Sequence, residues 1–158
     1  MTTTWIVSAD RGRARIFAQT DPQQPLEEIE DMVNPAARIR TSDQYTDRLG
    51  PTSASKSIHN TGGALPNKQY EPPQSMDERE AEAFAKEISG YLLKAHQEGR
   101  YQKLDLIAEP KFLGVLRMVL DHQVKPLVEM ELNKDYTHFN GHQLREQLQA
   151  QSQKAKQS

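Results

Sequence analysis

The sequence predicts an α/β fold with a mixed five-stranded sheet, and three observations support this class. Residues 75–120 read as a capped amphipathic helix, a short turn, a buried strand and a second helix opened by proline, which is the crossover unit of an α/β sheet. Residues 4–18 form two alternating runs around a turn, and residues 26–32 alternate again. Right-handed crossovers then predict the strand order 3-2-1-4-5, with strand 2 antiparallel and helices flanking the sheet.

The first two strands are predicted as a β-hairpin over residues 4–18. An apolar run that begins at Trp5 ends at Asp10, where the Asp side chain and the nearby Gly12 are typical of a turn. The alternating segment Leu26–Met32 is a third strand. Its many charges predict a position near an edge of the sheet.

The long helix is predicted to begin at Ser75 and to end at Gly99. Ser75 and Glu78 match the S-x-x-E capping box, in which two side chains satisfy amide donors of the first turn. Apolar residues recur along this segment at three- and four-residue steps and form one stripe. The stripe consists of Ala81, Phe84, Ala85, Ile88, Tyr91, Leu92 and Ala95.

The C-terminal third predicts two further strands and two helices. Leu104–Ala108 is a short buried strand, and Pro110 suits the first turn of the helix that follows it. Leu127–Leu132 is the fifth strand, and a last helix is predicted over about Phe139–Gln149. The polar tail, residues 151–158, is expected to be disordered.

A long loop separates the three N-terminal strands from the helix. Residues 34–74 are rich in Gly, Pro, Ser, Thr and Asn and follow neither apolar period, so they form a loop of about forty residues that we expect to be functional or disordered. The loop is net positive within a net negative chain. Its charged side chains are Arg38, Arg40, Arg48, Lys56 and Lys68 against Asp43, Asp47 and Glu71.

Length and composition indicate one globular domain over residues 1–150. The net charge of −2 argues against bulk electrostatic binding of nucleic acid, and the absence of cysteine excludes disulfides and thiolate chemistry. The N-terminus has no basic region ahead of an apolar core, and no apolar run reaches the length of a membrane span. We therefore expect a cytoplasmic protein without a membrane partner.

Three arginines of the predicted hairpin are candidate ligand contacts. Arg11, Arg13 and Arg15 alternate along the chain, which predicts one shared face, and Arg38 and Arg40 follow in the loop. Such a stripe suits contact with the phosphates of RNA. The alternative is a solvated sheet edge that its charge protects from aggregation.

No catalytic, metal or cofactor site is predicted. The acidic residues Asp10, Asp105 and Asp121 lie near strand and helix ends, but alternation with its apolar neighbours places Asp105 on an outward face. The pair His138 and His142 has helical spacing without the Glu of a H-E-x-x-H motif. We interpret these histidines as exposed polar residues.

Five segments carry a family resemblance that runs from Trp5 to about Leu148. They are IVSADRGRARIF, VNPAAR, EREAEAFAKEI, LDLIAEPKFLGVLRMVL and VEMELNKDYTH. Together they resemble the bacterial host attachment family, sometimes described as proteins required for attachment to host cells. The segment LIAEPKFLGVLR is the most specific part of the match.

The resemblance also implies a fold similar to the middle domain of archaeo-eukaryotic peptide-chain release factors, which is a ribonuclease H-like arrangement. In those factors a Gly-Gly-Gln tip between the third strand and the long helix positions water on the peptidyl-tRNA ester. Gly62 and Gly63 lie in the corresponding loop, and Ala64 stands in place of the Gln. The resemblance thus implies the fold and a connection to the ribosome or tRNA, without that catalysis.

The expected function is a non-enzymatic binding module that contacts RNA or the translation machinery. Two alternatives stay open: a hydrolase that acts through Asp10 and the loop, and a protein-interaction module with an indirect role in host-cell attachment. No cofactor is expected, and the oligomeric state is open. The expected binding residues are Asp10, Arg11, Arg13, Arg15, Arg38, Arg40, Arg48, Gly62 and Gly63.

Overall fold

A computed structural model describes residues 2–36 and 76–157 of the chain. Its strands are β1 (Thr4–Ala9), β2 (Arg13–Gln19), β3 (Glu27–Val33), β4 (Lys103–Ala108) and β5 (Val128–Leu132). Its helices are α1 (Met76–Gln97), α2 (Pro110–Val119) and α3 (Gly141–Gln157), with a short 3-10 helix at Lys125–Leu127. The strands form one mixed sheet in the order β3-β2-β1-β4-β5. The predicted fold class and strand order are confirmed.

The pairing of the strands is also as predicted. β1 is antiparallel to β2 and parallel to β4, and β4 is parallel to β5. The parallel register runs from Thr4 opposite Lys103 to Ala9 opposite Ala108. The carboxyl ends of β1, β4 and β5 therefore meet at one end of the sheet, together with the turn between β1 and β2.

The sheet buries a cluster of apolar side chains on each face. The larger cluster holds Trp5, Ile16 and Leu106 of the sheet together with Phe84 of α1 and Phe112 of α2. The smaller cluster lies on the side of α3 and consists of Ile6, Phe17, Leu26, Ile107 and Leu144. Because side chains alternate across a strand, neighbours such as Ile6 and Val7 belong to different clusters.

Residues at the ends of α1 and α2 explain where these helices begin and end. Gly99 adopts a φ of 72° just beyond α1, which is the left-handed conformation that commonly ends a helix. Pro110 occupies the first turn of α2, and the Glu109 side chain accepts a hydrogen bond from the Phe112 amide. The Ser75 end of the predicted capping box lies outside the described residues.

A β-bulge breaks the predicted alternation of β3. The register of β2 and β3 shifts between Ile16 and Phe17, and an extra residue on one strand changes which side chains share a face. As a result both Ile29 and Met32 pack against the larger cluster. The alternation predicted for Leu26–Met32 would place Ile29 and Met32 on opposite faces, and the bulge is the reason that they share one.

Helix α3 differs from its predicted bounds at both ends. It begins at Gly141 and continues to Gln157, so the prediction of a disordered tail is wrong for residues 151–157. The Asn140 amide donates to the Gln143 side chain at 3.0 Å, and the Gln143 amide donates to the Asn140 side chain at 2.9 Å. This reciprocal cap fixes the start of α3. The Gln, Ala and Lys residues of the tail are good helix formers and extend a helix already nucleated by packing.

Candidate functional site

The turn between β1 and β2 is built around the Asp10 carboxylate. One of its oxygens accepts hydrogen bonds from the amides of Gly12 and Arg13 at 2.8 and 2.9 Å. The other lies 3.2 Å from the hydroxyl of Thr137, in the segment between β5 and α3, and shares the proton of this hydroxyl with Asp135, which accepts it at 2.7 Å. Asp10 is thus a turn residue, as its sequence context indicates, and it also ties two distant segments together.

The arginines of β2 are held by acidic residues of β3. Arg13 donates two hydrogen bonds to Asp31 at 2.9 and 2.7 Å, and Arg15 donates two to Glu28 at 2.8 Å each. The hydrogen bond from each arginine is the main cause that lowers the pKa of its carboxylate partner. Both guanidinium groups are thus neutralised within the protein.

Arg15 is more deeply buried than Arg13 and makes more hydrogen bonds. Its guanidinium also donates to the backbone carbonyls of Thr137 and Phe139 at 3.0 and 2.9 Å. Its side chain is only 11% exposed, whereas that of Arg13 is 42% exposed. Arg15 therefore fastens the segment before α3 to the sheet.

Arg11 lies apart from the other two arginines. It lines a groove of about 320 Å³ between α1 and α2, on the face of the sheet opposite to the Arg15 contacts. The prediction of one shared face is wrong for Arg11, because the chain reverses in the turn and the alternation of β2 does not extend through it. The other predicted binding residues lie outside the described residues; they are Arg38, Arg40, Arg48, Gly62 and Gly63.

The groove between α1 and α2 has an apolar floor and a charged rim. Ala81, Phe112, Val115 and Val119 supply apolar lining. Met118 stands at the groove with 81% of its surface exposed. The charged lining consists of Arg11, Lys111, Glu78 and Glu82. This groove was not predicted from the sequence, although α2 is apolar over more than one stripe, which indicates a helix with two contacting faces.

Both ends of the segment 37–75 attach near this groove. The Asn34 amide donates to the Gly12 carbonyl, and its side chain donates to the Arg11 carbonyl, each at 2.9 Å. At the other end α1 begins at Met76, and its Glu78 lines the groove beside Arg11. The described residues that flank the net positive segment, Asn34 and Glu78, therefore both lie near Arg11.

A second cleft lies on the opposite face of the sheet, beneath the second half of α3. It has a volume of about 470 Å³ and is lined by Asp105 of β4 and Arg145 of α3. Burial raises the pKa of Asp105 to about 6; the negative charge of Glu129 adds to this rise, and Lys103 opposes it. Asp105 faces away from Leu104 and Leu106, as alternation predicts, but α3 covers part of this face, so Asp105 is half-buried rather than on an open surface.

Replacing Asp105 with Asn is expected to raise the free energy of unfolding by about 1 kcal/mol at neutral pH. The folded-state pKa lies above the ordinary value of 3.8, so ionised Asp105 destabilises the fold. This cost is absent below the unfolded pKa, grows as pH rises towards 6 and is fully present above it. The magnitude is discounted because water still reaches part of the carboxyl group.

Urea unfolding of the two proteins at several pH values measures this effect. The Asp105→Asn protein should gain stability over the unmodified protein at pH 7.5 and match it at pH 3.5. A gain of equal size at both pH values would contradict the assignment of the effect to ionisation.

Within residues 2–36 and 76–157, no group of three His, Asp or Glu side chains is placed to hold a metal ion. Asp121 accepts a hydrogen bond from the Gln123 amide in the turn after α2. The two predicted histidines have different neighbours, since His138 contacts the Phe139 ring and His142 pairs with Glu146. In the same part of the chain, no helix has both the length and the apolar character needed to cross a membrane.

These features define a single-sheet α/β protein with an apolar groove on one face and a charged cleft on the other. The sequence profile of one family, described as proteins required for attachment to host cells, matches residues 5–148. The chain belongs to this family. The predicted family membership is confirmed.

One curated relative is the uncharacterized protein RP470 of Rickettsia prowazekii (strain Madrid E). It is 32% identical over 79 residues, which cover 49% of this chain and 53% of the relative. The alignment therefore spans about half the length of each protein.

Two solved structures are similar at low identity. An archaeal protein is 13% identical with a TM-score of 0.42, over 84% of this chain and 30% of that protein. The archaeal translation termination factor aRF1 is 10% identical, also with a TM-score of 0.42, over 98% of this chain and 40% of the factor. Both likenesses are too distant to bear on function.

Proposed function

We propose that this protein is a non-catalytic binding module that acts in host-cell attachment indirectly, by holding a partner protein in the groove between α1 and α2. The observation that carries the proposal is the exposure of Met118, at 81%, on the rim of an apolar groove. Large apolar side chains exposed beside an apolar groove are typical of protein-binding surfaces. The description of the family supports the role in attachment.

The shape and charge of the groove define the kind of partner segment. Its two walls are helices, and its floor includes Phe112 and Val115, so an amphipathic segment can insert apolar side chains between the helices. Arg11 and Lys111 line the same groove. An acidic residue beside the apolar anchors of the partner would complement these two cations.

Contact with RNA is the second candidate function, and one observation favours it at residues other than the arginines of β2. In the described part of the chain, neither Arg11 nor Lys111 forms an ion pair, whereas Arg13 and Arg15 are held by carboxylates. The described residues on either side of the positive segment 37–75 lie near Arg11: Asn34 donates to the Arg11 carbonyl, and Glu78 lines the same groove. Phosphate contact would therefore centre on Arg11 and Lys111 rather than on the arginines of β2.

A photo-crosslinking amino acid at position 118, introduced in the native cell, tests the proposal. We expect a discrete protein adduct at position 118 that survives ribonuclease. The substitution Val115→Glu should abolish it, because a buried charge in the groove floor excludes apolar side chains. Thermal unfolding of the Val115→Glu protein should show that the fold is retained.

The matched control places the same amino acid at Val33, the other large apolar side chain that is exposed among the described residues. The same adducts at positions 33 and 118 would reject the groove as the binding surface. Adducts that consist of RNA, and that Arg11→Ala weakens while Lys94→Ala at the exposed C-terminal end of α1 does not, would favour the second candidate instead.

A further inference from the structure

The cleft beneath α3 has the size and the chemical lining of a small-molecule site. Its volume of about 470 Å³ lies within the range of ligand pockets, about 300–1,000 Å³. Ile6, Leu26, Met130 and Leu148 provide an apolar wall. It is separated by the sheet from the groove between α1 and α2, and it is independent of the function proposed above.

Two opposite charges line the cleft without neutralising each other. Among the described residues, the Asp105 carboxylate has no hydrogen-bond donor and no ion pair with Arg145. The charge of Lys103 partly compensates Asp105, but Lys103 itself pairs with Glu129 of β5 at 3.3 Å. A half-buried carboxylate without donors is costly to maintain.

Among the described residues, the Arg145 guanidinium also has a buried donor without an acceptor. One of its terminal nitrogens donates to the Pro22 carbonyl at 3.0 Å. Its Nε–H is buried and finds no acceptor within the part of the chain that the structure describes. A carboxylate that enters the cleft would supply the acceptor that this group lacks.

We propose that this cleft binds a free amino acid with an apolar side chain. The ligand carboxylate pairs with Arg145, its ammonium group pairs with Asp105, and its side chain packs on the wall that includes Ile6 and Leu148. Each of the two protein charges thereby gains an oppositely charged partner in a site partly shielded from water. A ligand with only one of the two charges leaves the other protein group without a partner.

The test uses full-length protein and three compounds of matched shape. L-Leucine carries both charges, 4-methylpentanoate lacks the ammonium group, and 3-methylbutylamine lacks the carboxylate. Amide shifts in NMR titrations should show saturable leucine binding at least about tenfold tighter than binding of either half-ligand. The shifted amides should lie in β4 and α3.

Two substitutions separate the roles of the charges. Asp105→Asn should weaken leucine binding by about tenfold and leave 4-methylpentanoate binding unchanged. Arg145→Gln should weaken both of these ligands and leave 3-methylbutylamine unchanged. Lys94→Gln, on the exposed surface of α1, is the control and should alter none of them.

Acidification provides a second readout. Because burial raises the pKa of Asp105 to about 6, most of this group is protonated at pH 5 and cannot pair with an ammonium group. Leucine binding should then be about fivefold weaker at pH 5 than at pH 7.5, since about a tenth of the Asp105 carboxylate is still ionised at pH 5. The Asp105→Asn protein should lose this pH dependence.

Three results would overturn the proposal. They are the absence of saturable leucine binding at millimolar concentrations, equal affinities for all three compounds, and leucine affinity that Asp105→Asn leaves unchanged. Since Asp105→Asn is expected to stabilise the protein at neutral pH, loss of binding in this variant cannot be attributed to unfolding.

Discussion

Replacing Arg15 with Ala is expected to lower the free energy of unfolding by about 3 kcal/mol. The substitution removes four charge-assisted hydrogen bonds, two to Glu28 and one each to the carbonyls of Thr137 and Phe139. It leaves a carboxylate and two carbonyls without their donor beside the smaller core. The expected loss lies at the low end of the range for breaking a buried ion pair, because the Glu28 side chain is one-third exposed.

Urea unfolding of Arg13→Ala provides the matched comparison. The Arg13–Asp31 pair has the same two-bond geometry, but both of its side chains are about two-fifths exposed, so its loss should cost less than about 1 kcal/mol. Equal losses from the two substitutions would contradict the view that Arg15 fastens the segment before α3. Neither variant should abolish the partner adduct at position 118.

Replacing Asp10 with Ala is expected to destabilise the protein by about 2 kcal/mol. The Gly12 and Arg13 amides lose their shared acceptor, and the Thr137 hydroxyl loses a link across the end of the sheet. Thermal unfolding measures the change. Protection of the Gly12 and Arg13 amides from hydrogen exchange should fall in the same variant.

Asp10→Asn is the informative control for this position. An Asn oxygen can still accept from the two amides, and its NH₂ group can donate to the Thr137 hydroxyl, so the expected cost is below about 1 kcal/mol. If Asn destabilises as much as Ala, the carboxylate charge itself is required. The role assigned to turn geometry would then be wrong.

The fold could be predicted because its strongest signals are local. Gly99 ends α1 through its own backbone conformation, and Pro110 opens α2 by a restriction that acts within one turn. The strand order then followed from the handedness of the crossovers. The helical tail was missed because residues 151–157 carry almost no apolar side chains, so no apolar period marks them as helical.

The candidate sites could not be predicted in the same way, because they depend on contacts between distant segments. The alternation of Arg13 and Arg15 was visible in the sequence, but their pairing with β3 depends on the register of the hairpin and its bulge. The position of Asp105 beneath α3 depends on the packing of a weakly amphipathic helix. Only the role of Asp10 as a turn residue could be found from neighbouring residues.

The sheet separates the groove between α1 and α2 from the cleft beneath α3, because the two lie on opposite faces of it. Consecutive residues of β1 face opposite sides of the sheet. Ile6 lines the cleft, and Val7 packs in the core beneath α1 and α2. The two proposed binding sites therefore share no lining residue, and occupation of one would not block the other sterically. Any coupling between the two proposed sites would have to cross both the sheet and the core cluster that lies between the sheet and the helices α1 and α2.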